Sequence, residues 1–498
     1  MFPPHSATVS LFVITFIQKN FKMNRMMLAA FLSTLFLSCS NPPQDKKEEQ
    51  PSPQAPPTPV FENFEKGKVL NPVFVKGDSS KSYALFIPTS YSTDKKSPVV
   101  YFFDPHAGGH IPIDKYRDIA ERYGYIIIGS NNTENGMKME ITNQVIRQVM
   151  SDAGARMNID PQRIYTCGFS GGSRVASNFA ITNGGVNAVV ACGAGLGTKQ
   201  QPRQKFGFIG VAGNEDFNYT ELKALDKQLS GTDWSHFFLE FNGKHEWPPV
   251  ETMEEAFLWL QLNAIHDGLA TKNDTLLKKF TEKNLTALKD AQKKKDAYAQ
   301  FLACKKLDDF EGYLGDTSYH AELKKLETSK ELQNILQHRS QLETKEDSLK
   351  QVYAQALQSQ NDAWWDTQVK KLNTEMKTMK DKDEVLLRKR IMSYLSLAAY
   401  MSASGALKFK DYKAADHFLN IYEAVDPENA EHAYLRSVIA VKQNEPDKAM
   451  EYLRKSVKLG FSDVKRLMSE ADLVALSGKY PDFRELLVKV QQNAEKEK

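Results

Sequence analysis

The sequence predicts an α/β fold, a doubly wound and mostly parallel sheet, followed by an all-α domain. Three observations carry this. Short apolar runs of strand length recur between residues 98 and 241, each bounded by glycine or polar turns. One of them, Ile164-Tyr165-Thr166-Cys167, runs into Gly168-Phe169-Ser170-Gly171-Gly172 and then a helix-like stretch from Ser173. No proline occurs between Pro249 and Pro427, and the composition there turns to Lys, Glu, Leu, Ala and Gln, as in long helices.

The N-terminal residues come first in the chain and speak to location. Met23-Asn24-Arg25 precedes an apolar stretch, Met26 to Leu37, that closes on Phe36-Leu37-Ser38-Cys39. A basic start, a short apolar region and a small residue are the parts of a secretory signal, and the apolar region is short for a membrane span. Met23 is a plausible true start. A cysteine directly after the small residue resembles a bacterial lipobox. That resemblance implies cleavage before Cys39 and acylation of Cys39, an anchor in the bacterial cell envelope at the outer membrane or periplasmic face. Ser40 to Pro59 is rich in proline, Gln, Lys and Glu, and reads as an extended tether.

Residues 61–267 hold the sheet. Pro98–Phe103 reads as its third strand, followed by Asp104-Pro105-His106-Ala107-Gly108-Gly109. The segment Gly168–Gly172 then has the form of a strand, a sharp turn bearing a serine, and a helix. The flanking glycines are needed because a Cβ there would collide with the strand or the helix. Phe206–Val211 is the next buried strand and leads to Gly213-Asn214-Glu215-Asp216, where two carboxylates stand. Phe237–Phe241 leads to Gly243-Lys244-His245, with His245 placed 75 positions after Ser170. A serine hydroxyl needs an imidazole to take its proton, and the imidazole needs a carboxylate to fix its tautomer. An oxyanion needs two N–H donors. Gly171 follows the serine; in the loop after the third strand Pro105 has no N–H, which leaves His106 or Ala107.

Residues 65–265 resemble the α/β-hydrolase superfamily, in the branch of polyhydroxybutyrate-depolymerase-like and feruloyl-esterase-like enzymes. The Gly168–Gly172 elbow, the Gly213–Asp216 loop and the Gly243–His245 loop carry the resemblance. It implies a triad in the order Ser170, Asp216, His245, and its Gly-x-x-Asp loops favour Asp216 over Glu215. Asp216 also stands where it would cap a helix starting near Tyr219. The chain departs from these esterases in its oxyanion loop, which has Asp104-Pro105-His106 in place of the usual His-Gly.

The second half is read as helix. Residues 268–390 show helix-length patterns at 270–305, 318–337, 341–380 and 383–403, with Gly312 and Gly315 marking a loop. Leu342, Leu349, Val352 and Ala356 share one face. Over 391–490 a period of 34 pairs Ala399 with Ala433, Tyr400 with Tyr434, Ala406 with Ala440, Ala415 with Ala449 and Leu419 with Leu453. That period, with small residues at helix crossings, resembles tetratricopeptide repeats. It implies a docking surface for a protein partner, or an appendage that stiffens the hydrolase. Residues 491–498 are a tail.

Composition narrows the function. The 498 residues carry a formal net charge of +3, and no basic patch interleaved with aromatics points to nucleic acid. The four cysteines, Cys39, Cys167, Cys192 and Cys304, form no disulfide framework or metal-ligand spacing, so no metal or cofactor is expected. The leading expectation is an envelope-anchored serine hydrolase acting on a carboxylic ester through an acyl-enzyme. The alternatives are a degenerate hydrolase fold serving as a binding or assembly lipoprotein, and more remotely a serine peptidase.

Overall fold

The structure is a computed structural model that describes residues 60–197, 200, 202–314 and 318–496. Cys39 and its signal sequence lie outside the described residues. Eight strands form one sheet: β1 (Val69–Val75), β2 (Asp78–Phe86), β3 (Ser97–Phe103), β4 (Ile126–Ser130), β5 (Ile159–Phe169), β6 (Ala188–Cys192), β7 (Gly207–Gly213) and β8 (His236–Phe241). Their order is β1-β2-β4-β3-β5-β6-β7-β8. β2 is antiparallel to both neighbours, and β4 through β8 run parallel. This is the α/β-hydrolase fold.

The side-chain alternation of a strand explains why the runs are apolar throughout. Val99, Tyr101 and Phe103 of β3 point to a core shared with α2 (Met139–Arg156), α3 (Gly171–Asn183) and α4 (Tyr219–Leu229). Val100 and Phe102 point to the opposite core, shared with α1 (His110–Tyr123) and α5 (Val250–His266). Both faces are covered, so neither set of positions tolerates a polar side chain. Because β5, β7 and β8 are parallel, the loops after them emerge at one edge of the sheet. That edge is where ligands of open α/β sheets bind.

The remaining helices are α6 (Asp274–Lys294), α7 (Ala297–Leu314), α8 (His320–Glu327), α9 (Lys330–Ser359), α10 (Asp362–Thr378), α11 (Lys382–Lys408), α12 (Tyr412–Val425), α13 (Ala430–Lys442), α14 (Pro446–Lys458), α15 (Val464–Ser469), α16 (Ala471–Ala475) and α17 (Phe483–Lys496). The breaks differ from those expected. The 270–305 stretch divides at Lys295, which is left-handed at φ 53°. Further on, the helices break at Ser329 and Asn361, whose side chains accept the N–H of Leu332 and Trp364 and so start α9 and α10. A capping side chain stops one helix and begins another without a glycine or proline to advertise it. Gly312 lies in the last turn of α7 and not in a loop, and Gly315 lies outside the described residues. Val352 is 54% exposed, and Tyr353 takes its place on the buried face of α9.

Two features of this helical half matter for the site. Leu277, Phe280 and Phe310 of α6 and α7 join the sheet's core beside α5. Further along, Ala399, Ala415, Ala449, Leu419 and Leu453 are all 0% exposed in a core made by α9 to α17, and Ala433 is likewise 0% exposed. The 34-residue period therefore marks the positions where α11 packs on α12 and α13 on α14, and alanine there allows the backbones to approach.

Candidate active site

Ser170 sits between β5 and α3 with φ 53° and ψ −118°. A non-glycine residue in this region is strained and is held by its surroundings. Here the surroundings are backbone. A Cβ on Gly168 would strike the Gly172 carbonyl, and one on Gly172 would strike the Phe103 carbonyl. The Ser170 N–H is tied to the Cys192 carbonyl at 2.8 Å. The turn therefore presents the hydroxyl at the sheet edge.

The loops after β7 and β8 bring the partners in. A Cβ on Gly213 would strike the Gly243 and Lys244 carbonyls, so only glycine lets these loops pass so close. Glu215 N–H donates to the Gly243 carbonyl at 3.0 Å, locking one loop on the other. The result is a continuous chain: Ser170 Oγ lies 2.9 Å from His245 Nε2, and His245 Nδ1 lies 2.9 Å from Asp216 Oδ2. Asp216 is 1% exposed, and its other oxygen accepts the Asn218 N–H at 2.8 Å. It thus also serves the start of α4, whose Tyr219 N–H bonds the Asp216 carbonyl at 2.9 Å. Glu215 turns the other way, to Lys389 at 2.6 Å.

The imidazole is packed between rings. Phe217 lies 4.2 Å and Phe169 4.7 Å from the His245 ring centroid. Phe169 in turn meets Trp247 at 5.5 Å. The Trp247 indole donates to Asp104 Oδ2 at 3.0 Å, and the buried Asp104 also accepts the His106 N–H at 2.9 Å through Oδ1. Of the expected oxyanion donors, Gly171 is directly after the serine at the head of α3, whereas the His106 N–H is already engaged by Asp104. The His106 side chain is exposed and lines the cleft, and Ala107 has φ 59° in the same turn. His236, at the start of β8, pairs with Asp226 at 2.7 Å, away from this site.

Several site residues carry no signal in the sequence. Gly193 has φ +66°, and a Cβ there would lie 2.9 Å from Phe169, 3.1 Å from Asp216 Oδ2 and 3.1 Å from His245 Cε1. Asn218 Nδ2 holds the Gly193 carbonyl at 2.8 Å. Asn135, from the segment after β4, lays its side-chain amide over the Gly171 Cα and lines the cleft beside Ser170.

Ser170 and His245 open into a cleft of about 1070 Å³. One wall belongs to the sheet edge. The other comes from the helical half, with Tyr400 of α11, Tyr434 of α13 and Arg466 of α15 among its residues. All strands and the Ser-His-Asp chain precede residue 266, but the cleft is not made by that segment alone. Below the site, Cys167 and Cys192 are buried free thiols, and burial pushes the Cys167 thiol well above its ordinary value. Among the described residues no group of three or more His, Cys, Asp or Glu is arranged to hold a metal, and no helix is long and apolar enough to cross a membrane.

No family model matches the chain, and no curated protein matches it. Among solved structures, it is similar to an S-formylglutathione hydrolase from Staphylococcus aureus at 13% identity, over 36% of this chain and 90% of that one, with a TM-score of 0.31. It is similar to the feruloyl esterase module from Clostridium thermocellum at 13% identity, over 41% and 90% of the two chains, with a TM-score of 0.33. Thermogutta terrifontis esterase 2 matches at 12% identity, over 41% of this chain and 96% of that one, with a TM-score of 0.31.

Proposed function

We propose that this protein is a serine hydrolase of carboxylic esters that works through an acyl-enzyme. The observation that carries the reading is the unbroken Ser170–His245–Asp216 chain of 2.9 Å contacts, with the serine in a strained turn and the carboxylate buried. Ser170 Oγ attacks the ester carbonyl and its proton passes to His245 Nε2. Asp216 accepts from His245 Nδ1 and balances the imidazolium. The imidazolium protonates the departing alcohol as the acyl–oxygen bond breaks. Water then attacks the Ser170 ester by the same route in reverse, and the acid leaves.

The oxyanion is met by the Gly171 N–H and a second donor. With the His106 N–H on Asp104, that role falls to the Ala107 N–H or to the Asn135 amide side chain. Asn135→Ala discriminates between them: losing a side-chain donor costs about 10²-fold or more in kcat.

The cleft suggests the shape of the ester. Ser393, Leu397, Tyr400, Ser404 and Lys408 recur at helical spacing along α11 and line it. That stripe spans about 22 Å. Two of the charges elsewhere on the helical wall are paired internally, Arg466 with Glu431 at 2.7 Å and Lys442 with Glu470 at 3.5 Å. An elongated ester fits this stripe better than a small one. In this reading the tetratricopeptide-like helices serve the substrate first and a protein partner second, and acylated Cys39 tethers the enzyme to the envelope.

Labelling with a fluorophosphonate probe tests the chemistry. The full chain should react at Ser170. Ser170→Ala should abolish labelling and remove about three decades of short-chain ester hydrolysis, with His245→Ala comparable. Asp216→Asn should lower the rate far more than Glu215→Gln. A folded wild-type protein that neither labels nor hydrolyses any ester would leave the degenerate, binding-lipoprotein reading in possession.

A further inference from the structure

The loop that carries Asp216 is gripped from outside the hydrolase segment. On its near side, Arg390 Nη1 donates to the Asn214 carbonyl at 2.9 Å. Beside the acid, Lys389 Nζ meets Glu215 Oε1 at 2.6 Å. On its far side, Lys350 Nζ donates to the Phe217 carbonyl at 2.8 Å and to Thr220 Oγ1 at 3.3 Å. Asn214, Glu215 and Phe217 flank Asp216, and the Phe217 ring lies on His245. All three cations come from α9 and α11.

The grip is itself built. Glu346 of α9 is 0% exposed and lies between two of the cations, 2.8 Å from Arg390 Nε and 2.8 Å from Lys350 Nζ. The Arg390 guanidinium also lies over the Tyr219 ring, 4.9 Å from its centroid. A buried carboxylate is tolerated only when it is paired, so Glu346 holds both side chains in one geometry. Arginine and lysine donating to backbone carbonyls fix the loop's main chain, whatever its side chains do.

From this we infer that Lys350 and Arg390 are positioning residues for the reaction: the C-terminal helices hold the Asp216 loop, and so set the orientation of His245. This rests on the Ser-His-Asp reading. Neither residue touches the cleft's reacting atoms. They act through the main chain at 214 and 217, and through the Phe217 ring. A displacement of about 1 Å at a catalytic group can cost about 10²-fold in rate. The helical half is in this view a structural half of the active site.

The test uses the full chain with p-nitrophenyl acetate. Arg390→Met and Lys350→Met should each lower kcat about 10- to 100-fold with KM within about twofold, because the binding walls stay while the general base is misaligned. Arg390→Lys and Lys350→Arg should recover most of the loss. Hydrogen exchange at the backbone amides of residues 214–218 supplies a second readout: slow in the wild type, faster in both methionine variants. Should either of these not fold, Lys389→Gln removes an exchangeable outer contact, its lysine being 41% exposed, and should speed exchange in the same loop. Wild-type kcat in the methionine variants, or equal losses from the conservative and methionine variants, overturns the inference. If the wild type hydrolyses no ester, the exchange data still decide on the grip, and it is the triad reading that fails.

Discussion

Phe310 is the sharpest point at which to test whether the helices after residue 268 complete the hydrolase core. It is 2% exposed, with its ring 4.0 Å from Phe280 of α6 and 5.7 Å from Phe237 of β8, the latter edge to face. Phe310→Ala removes the ring that joins the last strand to the helical half. A buried Phe→Ala change costs about 3–5 kcal/mol, including the cavity left behind. Against a total of about 5–15 kcal/mol for a folded domain, that is a large share. For the Val60–Lys498 unit it corresponds to a melting shift of about 3–5 °C. Thermal melts by circular dichroism measure it, and hydrogen exchange locates it, with β8 amides accelerating before those of β3. Phe310→Leu should lose only part, since it keeps most of the volume. A chain ended at residue 268 is the extreme case. It deletes Leu277, Phe280 and Phe310 together, about 5–9 kcal/mol of apolar burial, and should aggregate or melt early. A Phe310→Ala protein within about 1 kcal/mol of wild type, or a monodisperse and stable 60–268 fragment, would refute the reasoning.

Three further outcomes are expected. Gly168→Ala sets a methyl against the Gly172 carbonyl, so the elbow must open; soluble protein should fall, and what remains should lose fluorophosphonate labelling far beyond its loss of stability. Glu255 of α5 is bridged by Lys283 at 2.7 Å and Lys306 at 2.8 Å. Burial works to raise its carboxyl, but Lys306 and Lys283 outweigh burial and hold it below the ordinary value. A depressed carboxylate stabilises above its unfolded pKa and loses that contribution as pH falls through its folded one. Urea midpoints of Glu255→Gln should therefore lie below wild type at pH 7 and converge with it under acid conditions, below about pH 4. A gap that stays constant as the pH is taken well below about 4 would remove the ion pairs as the cause. Cys39→Ala should leave the protein unlabelled by palmitate and released from membranes; labelling at the wild-type level would exclude Cys39 as the anchor.

Much of this protein was legible in the residues because the relevant physics is short-ranged. Gly168, Ser170 and Gly172 announce a turn that only glycine neighbours allow, and β3, β5, β7 and β8 announce themselves as apolar runs covered on both faces. Ala399 and Ala433, 34 positions apart, mark helix crossings because tight packing needs small residues at a fixed period. What the residues did not disclose depends on contacts between distant segments. Asp216 and Glu215 are adjacent and chemically alike; which one meets His245 is decided by how the loops after β7 and β8 cross at Gly213. Gly193 is needed because its φ is +66° and because three side chains converge above it. The starts of α9 and α10 rest on a single serine and a single asparagine that look ordinary in a polar sequence. Lys350 and Arg390 read as two more charges on solvated helices. Only the folded chain brings them, 133 and 176 positions from their partners, onto the carbonyls that flank Asp216. A local pattern reports which face of an element is apolar, but a cation's partner across the fold is chosen by tertiary packing, and no period or spacing encodes it.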